Sequence, residues 1–308
     1  MPGIHIGLAE LVALEHRTLR TAGVAQRSLH SLLMGRHLSR QRGQGFDFLE
    51  MRHYQPGDDV RTIDWRVSAR STRLHVRIHA EERDRPVMLV VDQRQNMFFA
   101  TRRAMKSVIA AEAAALLGWE LRRGADRIGA LVFNDRDLCL FTPRHSRSHW
   151  LQVLEEIARC NQALCAQPLP GAAPAMLDRV LEQLLQARHS GHLIVLLSDF
   201  AGATASSDAL VGRLAHQHAL LAMPIRDPVL QLLPERGPYV VSDGARQLVL
   251  SSEDTQRIAE LAAAHWRRIE RWREELSVQV LALNTTEDVA VQLHRALHID
   301  PTRRADGR

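Results

Sequence analysis

The stretch Val87-Met-Leu-Val-Val91 is apolar throughout and is followed directly by Asp92. A second stretch, His192-Leu-Ile-Val-Leu-Leu-Ser198, is apolar throughout its interior and is followed by Asp199. Half-exposed strands alternate apolar with polar residues, whereas uninterrupted apolar runs are typical of strands that are buried on both faces of a parallel sheet. Helical patterns come between such runs, so the sequence predicts an α/β fold with a doubly wound, mostly parallel sheet.

Strands and helices continue to alternate on both sides of these two stretches, over residues 86–300. Further strands are predicted at 127–133, 138–141, 219–225 and 278–283, and helices at 101–123, 146–160, 175–188, 207–216, 253–275 and 287–297. Residues 1–85 differ, with helical spacing over 8–34 and short alternating stretches over 46–80, and predict an N-terminal helical and β-rich extension. Residues 301–308 predict a flexible tail.

Composition narrows the class of protein. The 308 residues are 45% hydrophobic and 24% charged, as expected of a globular chain. No run reaches the roughly 18 to 20 apolar residues that a membrane-spanning helix needs, so no membrane span is expected. The three cysteines, Cys139, Cys160 and Cys165, are an odd number without metal-ligand spacing. They predict reduced thiols in a cytoplasmic protein.

Two strands that end in an aspartate indicate where a site is placed. In an open α/β sheet, ligands bind beyond the carboxyl ends of the strands, where the strand order reverses. If the strands before Asp92 and Asp199 are neighbours there, both carboxylates face one crevice, which suits a hard cation such as Mg²⁺. The alternative is that each aspartate caps the helix that follows its strand.

A long motif precedes the first apolar strand. From Phe46 it runs Phe-x3-Glu-Met-Arg-x-Tyr-x-Pro-Gly-Asp-Asp-x-Arg-x-Ile-Asp-Trp-Arg-x-Ser-Ala-Arg. The motif resembles the hallmark of domain-of-unknown-function family fifty-eight (DUF58), and the resemblance extends over nearly the whole chain. It implies a von Willebrand factor A-like domain with a metal-ion-dependent adhesion site. Such a site is built from Asp-x-Ser-x-Ser after the first strand and an aspartate after the fourth.

Here the corresponding residues are Asp92-Gln-Arg94-Gln-Asn96 and Asp199, so both serines are replaced. Asp92, Asn96 and Asp199 remain as candidate ligands for Mg²⁺ or Mn²⁺. An arginine among them places a fixed positive charge where the ion would lie, which costs several kcal/mol at about 4 to 5 Å. The sequence therefore predicts a degenerate adhesion site, a binding crevice of Asp92, Arg94, Asn96 and Asp199. In this crevice Arg94 replaces the metal and pairs with Asp92 or Asp199.

The motif itself has alternating charges around a Pro-Gly turn. It is interpreted as a salt-bridged structural network, with a docking surface as the alternative. Its members are Arg52, Tyr54, Pro56, Gly57, Asp58, Asp59, Arg61, Asp64, Trp65 and Arg70.

Motifs of the common enzyme classes are missing, including the nucleophile elbow, the phosphate-binding loop and the zinc-protease helix. The chain is therefore predicted not to be an enzyme. The resemblance implies partners, namely MoxR-type AAA+ ATPases and other von Willebrand factor A proteins, and an adaptor role in chaperone-like assembly or maturation of client proteins. Two alternatives stay open. One is a divalent-metal-dependent hydrolase that uses Asp92, Asp199 and Asp135. The other is a nucleic-acid binder that uses the arginines of residues 17–42, although nucleic acid is the less expected ligand.

Overall fold

The computed structural model describes residues 3–17, 42–43, 47–55, 60, 63–71, 73–80, 86–124, 126–166, 175–186, 191–228, 239–242 and 247–297. The chain forms two compact units, which we treat separately. The larger unit combines Met1–Met34 with Arg85–Arg308, and the smaller one is Gly35–Asp84. The predicted tail at residues 301–308 lies outside the described residues.

Helices and strands alternate along most of the described chain. The helices are α1 Leu8–Ala13, α2 Trp65–Ser68, α3 Lys106–Arg123, α4 Arg147–Gln162, α5 Met176–Leu185, α6 Ala205–Gln217, α7 Ser252–Glu275 and α8 Val289–Leu297. The strands are β1 Arg42–Gly43, β2 Asp47–His53, β3 His75–Ala80, β4 Val87–Asp92, β5 Ile128–Phe133, β6 Leu138–Arg144, β7 Leu193–Ser198, β8 Ala219–Arg226, β9 Tyr239–Ser242, β10 Gln247–Leu250, β11 Gln279–Val280 and β12 Leu283–Asn284.

The larger unit is built on a sheet with the order β11-β8-β7-β4-β5-β6, and β12 also pairs with β8. Its strands pair in parallel except for β6, which runs antiparallel to β5 at one edge. This confirms the predicted mixed α/β class with a mostly parallel sheet. Counted along the chain from β4, the order from the β6 edge is 3-2-1-4-5-6, so the strand order reverses between β4 and β7.

Both faces of this sheet are covered by helices, as the uninterrupted apolar strands require. Alternate residues of β4 point to opposite faces, so Leu89 contributes to one core and Val90 to the other. The first core includes α3, α4 and α8, and the second includes α5, α6 and α7. Close packing in the first core depends on Gly118 of α3, because a Cβ there would lie 2.0 Å from the Trp150 ring of α4.

The first helix belongs to the larger unit and not to an extension over residues 1–85. Leu11 of α1 is fully buried in the first core, and its carbonyl accepts a hydrogen bond of 3.1 Å from Trp119 Nε1 of α3. The apolar spacing of residues 8–14 predicted an amphipathic helix correctly, but spacing alone does not say which surface that helix covers.

The smaller unit is a three-stranded antiparallel sheet in the order β1-β3-β2, with α2 between β2 and β3 in the chain. Asp64 begins α2: its Oδ1 accepts a hydrogen bond of 3.1 Å from the Val67 amide, and its own amide binds the His75 carbonyl. Ile63 and Val76 are buried here, whereas the Trp65 side chain is largely exposed.

Candidate functional site

The two strand-terminal aspartates lie side by side at the point where the strand order reverses. Asp92 is the last residue of β4, Asp199 follows the last residue of β7, and the two strands pair in parallel with Val91 opposite Leu197. Neither aspartate caps a helix, since Arg94 is the N-cap of the short 3-10 turn Gln95–Met97 after β4, and Thr204 is the N-cap of α6 after β7. Carboxyl ends of adjacent parallel strands at this position form the usual ligand crevice of such sheets.

Asp92 is fully buried and is paired with Arg94. The guanidinium donates from Nη2 to Asp92 Oδ2 over 2.7 Å and from Nε to Oδ1 over 3.0 Å, while the Arg94 amide donates to Oδ1 over 2.9 Å. Ser198 Oγ, at the end of β7, donates to Asp92 Oδ2 over 2.6 Å. Every lone-pair direction of the Asp92 carboxylate is therefore directed at a donor of the chain itself.

Arg94 is buried almost as deeply as Asp92, with 5% of its side chain exposed. Burial lowers the pKa of the Arg94 guanidinium, but the Asp92 carboxylate beside it, together with Asp199 and Asp135, outweighs that effect, so this pKa lies above its usual value. The remaining guanidinium nitrogen, Nη1, donates to the Ala201 carbonyl over 3.1 Å, and the group lies over the Phe133 ring. The Arg94 guanidinium is thus one half of an internal ion pair, and it does not face solvent.

Asp199 has a different cation. Its Oδ2 binds Lys106 Nζ at the start of α3, and its Oδ1 accepts hydrogen bonds from Asn96 Nδ2 over 2.6 Å and from the Ala201 amide over 2.9 Å. Burial raises the pKa of the Asp199 carboxyl, but the Lys106 ammonium and these donors hold it below its usual value overall. Each of the two aspartates therefore has a cation of its own.

A third carboxylate completes the cluster. Asp135, in the turn between β5 and β6, is buried, and its Oδ2 accepts a hydrogen bond of 2.6 Å from the Gln95 amide. Its charge contributes to the raised pKa of Arg94. The structure thus brings together the three carboxylates of the hydrolase alternative, and two of them are each bound by a cation of the chain.

The loop that carries Asp199 is fixed through alternate backbone carbonyls. Those of residues 199, 201 and 203 accept hydrogen bonds from His265 Nε2 (2.8 Å), Arg94 Nη1 (3.1 Å) and Arg268 Nη1 (3.0 Å). Phe200, between the first two, has a φ of 56°, in the left-handed region that non-glycine residues seldom adopt. Contacts from the crevice on one side and from α7 on the other hold the loop in this conformation.

The crevice residues do not fit a divalent cation as they are arranged. The Arg94 guanidinium occupies the position beside Asp92 that such an ion would take, and Asn96 turns its Nδ2 donor to Asp199. Over the described ranges, no group of three or more His, Cys, Asp or Glu side chains is placed to hold a metal ion. An ion would have to displace both internal cations before it reached the carboxylates.

An aromatic side chain borders the crevice. The Phe99 side chain is 37% exposed, and its ring lies 5.9 Å from Lys106 Nζ, the same atom that binds Asp199. Large exposed apolar side chains next to polar groups are common in protein interfaces. The Phe99 ring thus forms a partly exposed apolar rim beside the buried charges.

The predicted crevice residues Asp92, Arg94, Asn96 and Asp199 are thus all in one cluster. The motif residues are in the smaller unit, where Asp64 has a structural role, Trp65 and Arg70 are exposed and Tyr54 is half-buried. Pro56, Gly57, Asp58, Asp59, Arg61 and the side chain of Arg52 lie outside the described residues. Of the basic segment 17–42, Arg17 forms an ion pair with Asp288, and the other arginine side chains also lie outside the description.

Sequence reasoning missed two members of the site, Lys106 and Ser198. Lys106 is the only lysine of the chain, and that rarity was the one signal that could have singled it out. Ser198 was visible as the residue before Asp199, but its bond to Asp92 depends on the pairing of β4 with β7. None of the three cysteines forms a disulfide, and burial raises the pKa of the Cys160 thiol to about 12, so this thiol is unreactive.

Comparisons with known proteins place this chain beside uncharacterised ones. Residues 50–268 match the family described as "Protein of unknown function DUF58". The uncharacterized proteins Rv1480 of Mycobacterium tuberculosis (strain ATCC 25618 / H37Rv) and Mb1516 of Mycobacterium bovis are each 31% identical over 267 residues. Those matches cover 85% of this chain and 82% of each relative.

Solved structures also resemble it at low sequence identity. The conserved hypothetical protein BatB from Bacteroides thetaiotaomicron is 11% identical, with a TM-score of 0.38, over 69% of this chain and 95% of that one. An aerotolerance-related membrane protein from Bacteroides fragilis has the same TM-score at 12% identity, over 69% of this chain and 96% of that one. In the part of our chain that the structure describes, no helix combines the length and apolar character needed to cross a membrane.

Proposed function

This chain belongs to the DUF58 family of proteins of unknown function, and from that premise we propose that it is a non-catalytic protein-binding adaptor. In this proposal its partner is a MoxR-type AAA+ ATPase, acting with other von Willebrand factor A proteins in the assembly or maturation of clients in the cytoplasm. The crevice between β4 and β7 is the binding site, and it works without a metal ion.

One observation carries the proposal: the chain supplies its own cations to both strand-terminal aspartates. Arg94 binds Asp92 and Lys106 binds Asp199, with both pairs almost fully out of solvent. A metal-dependent adhesion site needs an open coordination position through which the ion meets the partner. In this crevice a buried arginine fills that position. The crevice therefore recognises its partner through its shape, through apolar contact and through the negative charge that the cations leave uncompensated.

The proposed von Willebrand factor A-like fold rests on the same region. Its support is the strand order 3-2-1-4-5-6 with an antiparallel edge strand, together with two aspartates at the switch point. The non-catalytic role is supported by the state of those aspartates, because a carboxylate that is ion-paired and hydrogen-bonded through both oxygens is a weak base.

Affinity for a purified MoxR-type AAA+ ATPase from the same organism tests the role. We expect the ATPase to bind with the same Kd in the presence of EDTA, at fixed nucleotide conditions, because no ion joins the two proteins. Loss of binding after chelation would contradict the metal-free mode. An ATPase concentration series that gives no binding at all would contradict the choice of partner.

Rim variants test the location. Phe99→Ser removes the apolar side chain at the crevice mouth, and we expect it to weaken ATPase binding about tenfold, which corresponds to the loss of one well-buried contact. The matched control is Leu140→Ser, which removes an apolar side chain of similar exposure from the edge strand β6. Equal effects of the two variants would mean that the crevice is not the binding site.

A further inference from the structure

The helix that fixes the Asp199 loop extends well past the sheet. His265 of α7 binds the Asp199 carbonyl, which locates that turn of the helix at the carboxyl end of β7. From His265 the helix runs back along the sheet toward β11. On the way, Trp272 Nε1 donates a hydrogen bond to Asp208. Residues 252–264 precede His265 and span about 20 Å at 1.5 Å per residue. The first half of α7 therefore extends beyond the carboxyl edge, on the side of the sheet where the crevice opens.

An apolar stripe runs along the whole of α7. Its members are spaced by three or four residues, as one face of a helix requires, and are Ile258, Leu261, His265, Ile269 and Trp272. Ile269 and Trp272 are each 1% exposed in the second core, whereas Leu261 is 63% exposed. The stripe is thus covered in the second half of the helix, whereas in the first half Ile258 is partly buried and Leu261 is open. Val249 of β10, the strand that leads into α7, is 62% exposed as well.

Charge distinguishes this surface from an ordinary apolar patch. Residues 252–264 contain the acids Glu253, Asp254 and Glu260 against the single base Arg257. The crevice has the same sign, because the carboxylates Asp92, Asp135 and Asp199 outnumber the two cations by one. An interface partner whose potential is opposite to both regions is favoured, and a helix with apolar and basic residues on one face satisfies the stripe and the charge together.

We propose that the first half of α7 is a docking surface for a basic amphipathic helix of a partner protein. Leucine-like side chains of that helix cover Ile258 and Leu261, and its lysine or arginine residues face Glu260 and the mouth of the crevice. This proposal rests on the proposed function, since it describes the partner segment that reaches the same crevice. It adds a second contact area and states the chemistry that the partner presents there.

A synthetic helix of leucine and lysine, about 18 residues long with its leucines on one face, is a direct probe. We expect it to bind the full chain, and to bind Leu261→Ser at least tenfold more weakly. The control is Val291→Ser, which removes a similarly exposed apolar side chain from α8 and leaves the Kd unchanged. The charge requirement is tested by Glu260→Gln, for which we expect a severalfold weakening that disappears at high salt.

The same peptide with glutamate in place of lysine should not bind. Equal binding of the two peptides, or equal Kd values for the native chain and Leu261→Ser, would overturn the proposal. So would a concentration-dependent dimer that Leu261→Ser abolishes, because a second copy of the chain would then cover the stripe. If Leu261→Ser has no effect on peptide binding while Phe99→Ser still weakens ATPase binding, only this proposal fails. If Leu261→Ser weakens peptide binding while the ATPase does not bind the native chain at all, the adaptor role fails and the docking surface stands.

Discussion

The two ends of one parallel sheet bury ionisable groups in opposite ways. At the carboxyl end, Asp92 binds Arg94 and Asp199 binds Lys106. At the amino end, His192 and His218, which precede β7 and β8, stack with ring centroids 5.5 Å apart, and both are buried. Neither His218 nitrogen has a hydrogen-bond partner among the described residues. The cost of burying ionisable groups is thus offset by charge pairing at one end, and it is avoided at the other because an imidazole stays neutral.

The state of His218 follows from its surroundings. Burial, together with the neighbouring His192, lowers the pKa of the His218 imidazole below its usual value. A histidine of this kind binds protons more readily in the unfolded chain, so it stabilises the fold above the unfolded pKa of about 6.5 and loses that contribution on acidification. At the carboxyl end, stability depends instead on the presence of both partners of each ion pair, because removal of one partner leaves a buried charge unpaired.

The largest effect is expected from Asp92→Asn. This change leaves the Arg94 guanidinium buried without a counter-ion, so we expect the free energy of unfolding to fall by about 3–5 kcal/mol. Urea denaturation of the native chain and the variant measures it. The double variant Asp92→Asn, Arg94→Met removes the stranded charge and should recover most of the loss. If the double variant is no more stable than the single one, the unpaired Arg94 charge is not the cause of the lost stability.

Lys106→Met should cost less, about 1–3 kcal/mol by the same measurement. The Asp199 carboxylate would lose its cation but would keep its bonds to Asn96 and the Ala201 amide. The matched control is Arg295→Met, which breaks the exposed pair with Glu287 and should cost no more than about 1 kcal/mol. Equal losses in the two variants would show that the Lys106 pair is no stronger than a surface pair.

The amino end predicts a smaller, pH-dependent effect. The Tm of the native chain should decrease as the pH is lowered from about 7.5 to 5.5, across the unfolded histidine pKa. His218→Phe keeps a ring against His192 without a titratable group and should reduce this decrease. His216→Phe alters an exposed histidine in the last turn of α6, two residues before His218, and should leave the decrease unchanged. An identical pH dependence in the native chain and His218→Phe would contradict our account of this end.

The smallest effect is expected beyond the carboxyl end, on the first half of α7. Leu261 is largely exposed, so Leu261→Ser should change the free energy of unfolding by less than about 0.5 kcal/mol. The same denaturation measurement shows whether Leu261→Ser is folded, which the peptide-binding experiment requires. A loss comparable to that of a buried leucine would mean that the stripe is covered within the chain.

Much of the sheet followed from the sequence because its signals are local. The apolar runs at 87–91 and 192–198 predicted β4 and β7, and the helix predicted at 146–160 is observed as α4 over Arg147–Gln162. The antiparallel direction of β6 was not predicted. It results from the short turn at residues 134–137, which cannot hold the crossover that a parallel pairing requires.

The site was predictable only in part. That Arg94 replaces an ion could be proposed from its place in the Asp92-Gln-Arg94-Gln-Asn96 sequence, but its choice of Asp92 over Asp199 depends on side-chain geometry. Lys106 could not be assigned to Asp199 because they are 93 residues apart and meet only through packing of α3 against the sheet. The position of α1 in the larger unit is a tertiary fact of the same kind.

Calorimetric titration with Mg²⁺ and Mn²⁺ tests the central claim, that internal cations occupy the crevice in place of a metal ion. The native chain and the double variant Arg94→Ser, Asn96→Ser, which restores the serines of a metal-dependent site, are compared at the same pH. We predict no binding by the native chain and measurable binding by the variant, in which Asp92 loses the Arg94 guanidinium and Asp199 Oδ1 loses its bond to Asn96 while Oδ2 keeps Lys106. Binding of either ion by the native chain at this crevice would contradict the claim.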